Sequence, residues 1–97
     1  MNEWKFTGKI FYLKELSGEF CYSLKLRGEA LRNGDTSSRI VELSCLVPTS
    51  VKDWKINNLK LYDNVTMAGH FETWSKLDVK GHINYKTMQI VDCILGE

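Results

Sequence analysis

The 97-residue sequence has almost no net charge and no long apolar run. Thirteen Lys and Arg residues against twelve Asp and Glu residues leave a formal charge of +1, so no overall field attracts nucleic acid or an anionic membrane. No stretch approaches the roughly 18 apolar residues of a membrane span, and the N-terminus lacks the pattern of a secretory signal. Any binding of anions must therefore come from local patches of charge.

Paired cysteines are also missing. Cys21, Cys45 and Cys93 are odd in number and widely spaced, so they cannot form a complete set of internal disulfides and they match no zinc pattern. Each lies in an apolar, strand-like stretch, where a free cysteine acts as a small buried residue. We interpret them as reduced core residues, which favours a cytoplasmic protein.

The motifs of common catalytic sites are absent as well. His70 and His82 lie too far apart in sequence for a metal-ligating motif, and there is no Gly-rich phosphate loop, nucleophile elbow or carboxylate pair suited to two-metal chemistry. The sequence therefore predicts a binding protein that is not an enzyme and that uses neither a metal nor a cofactor.

What the sequence does contain is period-two alternation of apolar and polar residues, the pattern of half-buried β-strands. It occurs in residues 4–16, 20–27, 39–47, 65–72 and 87–95. Gly8 predicts a bulge or a tight bend in the first strand. The alternation places four aromatic residues of the first two strands on inner faces, unless the bulge turns Tyr12 outward: Trp4, Phe6, Tyr12 and Tyr22.

The segments between the strands carry turn and helix signals. Glycine, Asn and Ser residues predict a loop over residues 28–38, and Pro48 ends the third strand. A capping pattern then predicts one short helix, with Trp54 in the core. A turn over residues 62–64 precedes the fourth strand, and residues 74–85 form a loop or a long hairpin.

This order of three strands, a short helix and two strands predicts an all-β fold, a five-stranded Greek-key barrel known as the OB-fold. Closure of the sheet leaves few exposed edges in so small a chain. We expect residues 1–97 to form a single domain.

Several short stretches resemble the bacterial single-stranded-DNA-binding protein family. They are Phe6-Thr7-Gly8-Lys9-Ile10 in the first strand, Leu61 to Gly69 leading into the fourth strand, Trp74, and the last strand from Ile90 to Ile94. Asp63-Asn64 stands where the family has a Gly-Asp turn, and this departure is chemically tolerable because Asn visits left-handed conformations. The resemblance implies sequence-tolerant binding of single-stranded DNA in replication or recombination, by dimers or tetramers.

One feature of that family is not found. The sequence ends at Glu97, directly after the last strand, without the acidic-tipped tail through which housekeeping members recruit other enzymes. It is therefore more similar to tail-less primosomal proteins or to small proteins of phages and mobile elements. The alternative is an interaction subunit that docks on a polymerase, primase or helicase through exposed residues such as Ile40 and Leu46, and binds DNA weakly or not at all. The sequence does not separate DNA from RNA as a ligand.

Binding a single strand requires cations that follow the phosphates and aromatic rings on which bases stack. On OB-folds these groups lie on strands two and three and on the loops that join strands one to two and four to five. The candidates from the first two strands are Lys5, Lys9, Phe11, Lys25 and Arg27, and those at the ends of the predicted loop are Arg32 and Arg39. The candidates from the last hairpin are Trp74, Lys76, Lys80, Tyr85 and Lys86, with Trp74 and Tyr85 expected to clamp a strand. The alternative for Trp74 is a packing role against the mouth of the barrel.

Overall fold

The fold is a closed five-stranded barrel, seen in a computed structural model that describes residues 2–31, 38–51 and 58–96. Its strands are β1 (Trp4–Glu15), β2 (Phe20–Leu31), β3 (Ser38–Pro48), β4 (Asn64–Leu77) and β5 (Ile83–Gly96). They close in the order β1-β2-β3-β5-β4, and the β3–β5 pair alone is parallel. The predicted all-β OB-fold is therefore confirmed.

The core consists of inward-facing residues from all five strands. Its buried members are Ile10, Leu24, Leu26, Cys45, Val47, Val65, Met67, Ile90, Val91 and Ile94. Trp4, Phe6 and Tyr22 are half-buried and pack against it, as the alternation predicted.

A bulge in β1 corrects one prediction. The register with β2 shifts between Ile10 and Tyr12, so the bulge lies at Phe11 and not at Gly8. The extra residue reverses the alternation, which leaves Tyr12 exposed and turns Leu13 toward the core. Gly8 instead permits a close approach, since a Cβ there would lie 2.7 Å from the carbonyl oxygen of Arg27.

The register of β2 with β3 shifts between Phe20 and Tyr22, and this second bulge likewise reverses the alternation. Tyr22 keeps its inward position, but Phe20 pairs with Pro48 and contacts Trp74. Parity cannot be carried across a bulge, so Phe20 is half-buried beside Trp74 while Tyr22 packs against the core.

Both long hairpins extend further than the sequence indicated. Residues 28–31 continue β2 and pair with residues 38–41, so the predicted loop over residues 28–38 was too long, and residues 32–37 lie outside the described part. Residues 74–77 and 83–85 pair as strands. Of the two predicted alternatives, a loop or a long hairpin, the structure therefore has the long hairpin. Its turn is closed by Asp78, whose side chain accepts from the backbone N–H groups of Lys80 and His82.

The predicted helix and Trp54 fall on residues 52–57, which lie outside the described residues. Val51 and Leu59, on either side of that segment, pack against the core. In the turn before β4 the left-handed conformation belongs to Tyr62, whose φ is 74°. The left-handed tolerance of Asn64 is not used, because the turn comes before β4 and Asn64 is already the first residue of that strand.

Candidate nucleic-acid interface

The outward faces of β1 and β2 carry two cations stacked on aromatic rings. Arg27 lies over Phe11, with Cζ 4.2 Å from the ring centroid, and Lys25 lies over Tyr12, with Nζ 5.4 Å from the centroid. The bulge at Phe11 makes both pairs possible, because it puts Phe11 and Tyr12 within reach of β2 side chains on the outer surface. Positive charge above an aromatic face is a favourable arrangement, and it holds both cations beside flat apolar surfaces.

Arg27 is oriented further by an ion pair with Glu42 on β3, whose Oε1 lies 2.7 Å from Nη2. Both side chains are about half exposed, so the pair adds little stability. Its structural effect is to hold the guanidinium in place over the Phe11 ring. The other N–H donors of the guanidinium remain available for an anion, since the group has five.

A groove of about 610 Å³ lies beside this Arg27–Phe11 pair. Its lining residues are Thr7, Gly8, Lys9, Phe11, Arg27, Gly28, Ile40, Tyr62 and Asn64. Gly8 and Gly28 lie where β1 and β2 approach closely, since a Cβ at Gly28 would lie 2.7 Å from the carbonyl oxygen of Thr7. We call it the Phe11 groove.

The hairpin of β4 and β5 continues past the barrel as a two-stranded ribbon, residues 72–88, which we call the arm. Directly paired residues share a face of such a ribbon, and Trp74 pairs with Lys86 while Lys76 pairs with Asn84. We call this side the charged face. Trp74 is 40% exposed, and its ring lies 5.7 Å from that of Phe20, tilted by 37°.

Tyr85 lies on the opposite face of the arm, because it pairs with Ser75. The expected clamp of Trp74 and Tyr85 around one strand is therefore wrong, since neighbouring positions of a strand point to opposite sides. The side that carries Tyr85 has no ionisable acid or cation. Its members are Thr73, Ser75, Leu77, Ile83, Tyr85 and Thr87, and we call it the uncharged face.

The other predicted residues lie apart from these sets. Lys5 borders a shallow depression together with Glu3 and Asp92, and Lys80 sits in the turn of the arm. Arg32 lies outside the described residues. The backbone of Arg39 belongs to β3 and pairs with that of Ala30.

A chain of polar contacts that the sequence analysis missed ends at Trp74. The His70 ring lies between Asp92 (Nδ1 to Oδ1, 2.8 Å) and Glu72 (Nε2 to Oε2, 2.7 Å). The hydrogen bond to Glu72, followed by the contact with Asp92, raises the pKa of His70, and the same bond lowers the pKa of Glu72. Glu72 Oε1 accepts from the indole N–H of Trp74 at 3.4 Å. The signal in the sequence was the alternation His70, Glu72, Trp74, which puts all three on one face.

The cysteines behave as predicted for unpaired residues. Cys45 is buried, and burial raises the pKa of its thiol to about 12, so it stays protonated and unreactive. Cys21 and Cys93 are half-buried and free, and Cys21 packs against the core.

Two classes of feature are absent from the described residues. In those ranges no group of His, Cys, Asp and Glu side chains is arranged to hold a metal ion. Over the same part of the chain there is no helix with the length and apolar character needed to cross a membrane.

Solved structures with the same strand arrangement are similar over nearly the whole chain. A small single-stranded DNA binding protein from Mycoplasma pneumoniae has a TM-score of 0.66 at 14% sequence identity, covering 99% of this chain and 93% of that one. The chain has the OB-fold of single-stranded-DNA-binding proteins. The Plasmodium falciparum SSB, solved in complex with single-stranded DNA, gives 0.59 at 16% identity, with 93% and 85% of the two chains covered.

A third likeness is to Rim1, a mitochondrial single-stranded DNA binding protein of S. cerevisiae, with a TM-score of 0.55 at 12% identity and coverage of 97% and 92%. No protein-family model matches the sequence, and no curated protein matches it. The resemblance noted in the sequence is thus confirmed for the fold, and the function has to be argued from the site.

Proposed function

We propose that the chain binds single-stranded DNA without strong sequence preference, as an accessory factor in replication or recombination. The observation that carries this proposal is the pair of cation–aromatic stacks on the outer face of β1 and β2, Arg27 on Phe11 and Lys25 on Tyr12. Each stack joins the two groups that a single strand needs, a ring for a base and a charge for a phosphate. The likeness to single-stranded-DNA-binding proteins over 93–99% of the chain supports it.

The charged face of the arm supplies a second set of the same kind. Trp74 presents its indole between Lys76 and Lys86, and the Phe20 ring supports it from the barrel side. Contacts to ring faces and phosphates do not read base edges, so such a surface tolerates any sequence. The chemistry is therefore binding and not catalysis.

The test is titration with oligo-dT, followed by quenching of tryptophan fluorescence at low salt. We expect saturable quenching and a marked preference over a duplex of the same length and charge. Oligo-U of equal length serves as the RNA comparison. A single strand that neither quenches the fluorescence nor competes with a labelled oligo-dT would show that the proposal is wrong.

We propose further that the chain works as an oligomer in the cytoplasm. The support is the uncharged face of the arm, where Leu77, Ile83 and Tyr85 are all more than half exposed. A two-stranded ribbon is marginal on its own in water, and the chain exposes 7108 Å² where a folded monomer of its mass has about 5,700 Å². A second copy that covers this face would stabilise the ribbon and would reduce the large exposed surface.

The same face favours a second candidate, the interaction subunit of a polymerase, primase or helicase. Light scattering separates the two, because self-association gives a mass that is a multiple of 11.2 kDa in the purified protein. Substituting Lys for both Leu77 and Ile83 should return that mass to the monomer. A monomer at all concentrations, with capture of a replication enzyme through the same two residues, would favour the interaction subunit.

A further inference from the structure

Tyr62 is held in a backbone conformation that its side chain disfavours. Its φ of 74° lies in the left-handed region. Residues other than glycine and asparagine seldom enter this region, because their Cβ crowds the next carbonyl oxygen. Such residues persist only where the surrounding structure holds them, and they concentrate at functional sites.

The turn that holds Tyr62 is fastened to β1 by backbone bonds. The Tyr62 N–H donates to the Ile10 carbonyl at 2.6 Å, and the Ile10 N–H donates to the Asp63 carbonyl at 2.9 Å. The Asp63 carboxylate accepts from the Lys60 N–H at 3.2 Å. None of these bonds involves the tyrosine side chain. A glycine at position 62 would make them all without strain, so the turn does not require a tyrosine.

The Tyr62 side chain does not contribute to the core either. It is 69% exposed, and it lines the Phe11 groove together with Phe11 and Arg27. The groove thus has two aromatic side chains, and Lys9 and Arg27 supply positive charge. The described residues that line it include no acid, and Glu42 is engaged by Arg27.

We propose that Tyr62 and Phe11 flank a base-binding pocket, with Lys9 and Arg27 taking the attached phosphates. The ligand class is a nucleotide within a single strand, because the pocket offers ring faces for a base and cations for phosphate. This inference rests on the proposed function and deepens it. It extends the DNA path beyond β1 and β2 to the turn that precedes β4.

Two substitutions at position 62 separate binding from strain. Tyr62→Gly should raise the melting temperature, because it relieves the left-handed strain, and should weaken oligo-dT binding by roughly 5- to 150-fold, the range for one lost base–aromatic stack. Tyr62→Phe keeps the ring and should bind within about twofold of the parent. The matched control is Leu61→Ala, an exposed neighbour outside the groove, which should leave the affinity unchanged.

A direct readout is photocrosslinking of an oligonucleotide that carries 5-iodouracil, with the adduct located by mass spectrometry. We expect crosslinks on the peptides that contain Tyr62 or Phe11. If the parent binds oligo-dT and Tyr62→Gly binds equally well, the pocket is wrong and the proposed function stands. If the parent does not bind oligo-dT, the proposed function fails, and the pocket fails with it.

Discussion

β4 and β5 pass through two environments, and the same alternation has different consequences in each. Inside the barrel, Val65, Met67 and Gly69 of β4 are buried with half-buried residues between them, whereas every residue of β4 from position 71 onward is exposed. β5 shows the reverse order: residues 83–87 are exposed, and the buried residues begin at Ile90. The strands themselves do not change. What changes is the second layer, which covers one face in the barrel and neither face in the arm.

The two regions differ in where the chain can place binding groups. In the barrel the inward residues are constrained by close packing, so their identities serve stability. In the arm both faces are open, and they differ in chemistry: one presents Trp74 with lysines, and the other presents Leu77, Ile83 and Tyr85 without charge. We expect substitutions of the inward barrel residues to affect folding, and substitutions in the arm to affect binding and assembly.

The largest contrast should come from one glycine in each region. A Cβ at Gly69 would overlap the carbonyl oxygen of Ile90 and lie 2.6 Å from the Trp4 ring, so Gly69→Ala should cost about 3 kcal/mol or more, or prevent folding. Gly81 has a φ of +83° with open space around it, so Gly81→Ala should cost only about 1–2 kcal/mol. Urea unfolding measures both. Equal losses would show that the arm is packed as tightly as the barrel.

A smaller effect, on affinity for single-stranded DNA and not on stability, is expected from substitution of Trp74 in the arm. Trp74→Ala should weaken single-strand binding by about 1–3 kcal/mol and leave the slope of log affinity against log salt nearly unchanged, because no phosphate contact is lost. Thermal unfolding serves as the control for the packing alternative, since Phe20 loses its neighbour. A variant that melts several degrees lower and binds normally when folded would make Trp74 a packing residue.

The lysines on either side of Trp74 should show the complementary behaviour. Neutralising Lys76 and Lys86 together, as Lys76→Gln and Lys86→Gln, should flatten the salt slope by about 1.4, since each lost phosphate contact removes about 0.7 for a single strand. Titrations at several salt concentrations measure it. The same substitution of Lys5, which lines a depression with Glu3 and Asp92, is the control and should leave the slope nearly unchanged. A change of about 0.7 for Lys5→Gln, with none for the double variant, would place the phosphates at Lys5 and not on the charged face of the arm.

The smallest effect should be the pH dependence at the junction of the two regions. The raised pKa of His70, due first to Glu72, means that its contribution to stability is complete below its unfolded pKa of about 6.5 and is lost as the pH rises through the folded value. The lowered pKa of Glu72 gives a contribution that is present at neutral pH and is lost in acid.

We therefore expect the melting temperature of the parent to fall by a small amount as the pH rises above about 6.5, and His70→Gln to remove this fall. His82→Gln, in the exposed turn of the arm, is the matched control and should keep the parent's profile. Identical profiles for the parent and His70→Gln would show that the contacts with Glu72 and Asp92 do not persist in solution.

Much of the fold followed from local patterns. Alternation located the five strands, and turn residues separated them, because both depend on neighbouring residues alone. The strand ends were less predictable: residues 28–31 and 74–77 look like turn or loop sequence, yet they pair because the opposite strand is already in register. The candidate site was predicted in part, since Lys9, Phe11, Lys25 and Arg27 do share the outer face of β1 and β2.

Tyr12 and the polar cluster at His70 could not be placed from the sequence because both depend on distant partners. The bulge at Phe11 turns Tyr12 outward, and nothing local marks Phe11 as the extra residue. The contact of His70 with Asp92 joins residues 22 apart in sequence, across the β4–β5 ladder.

The sequence by itself determined the β-class, the strand order along the chain, the near-zero charge and the unpaired cysteines, because composition and period-two alternation are local properties. Only the tertiary structure decided which side chains share the outer surface, that Trp74 and Tyr85 face opposite ways, and that Tyr62 closes the turn against β1. Barrel closure imposes a curvature and a register on every strand at once. The bulges and close approaches that meet that demand are therefore set by cross-strand pairing, which no single segment of the sequence contains.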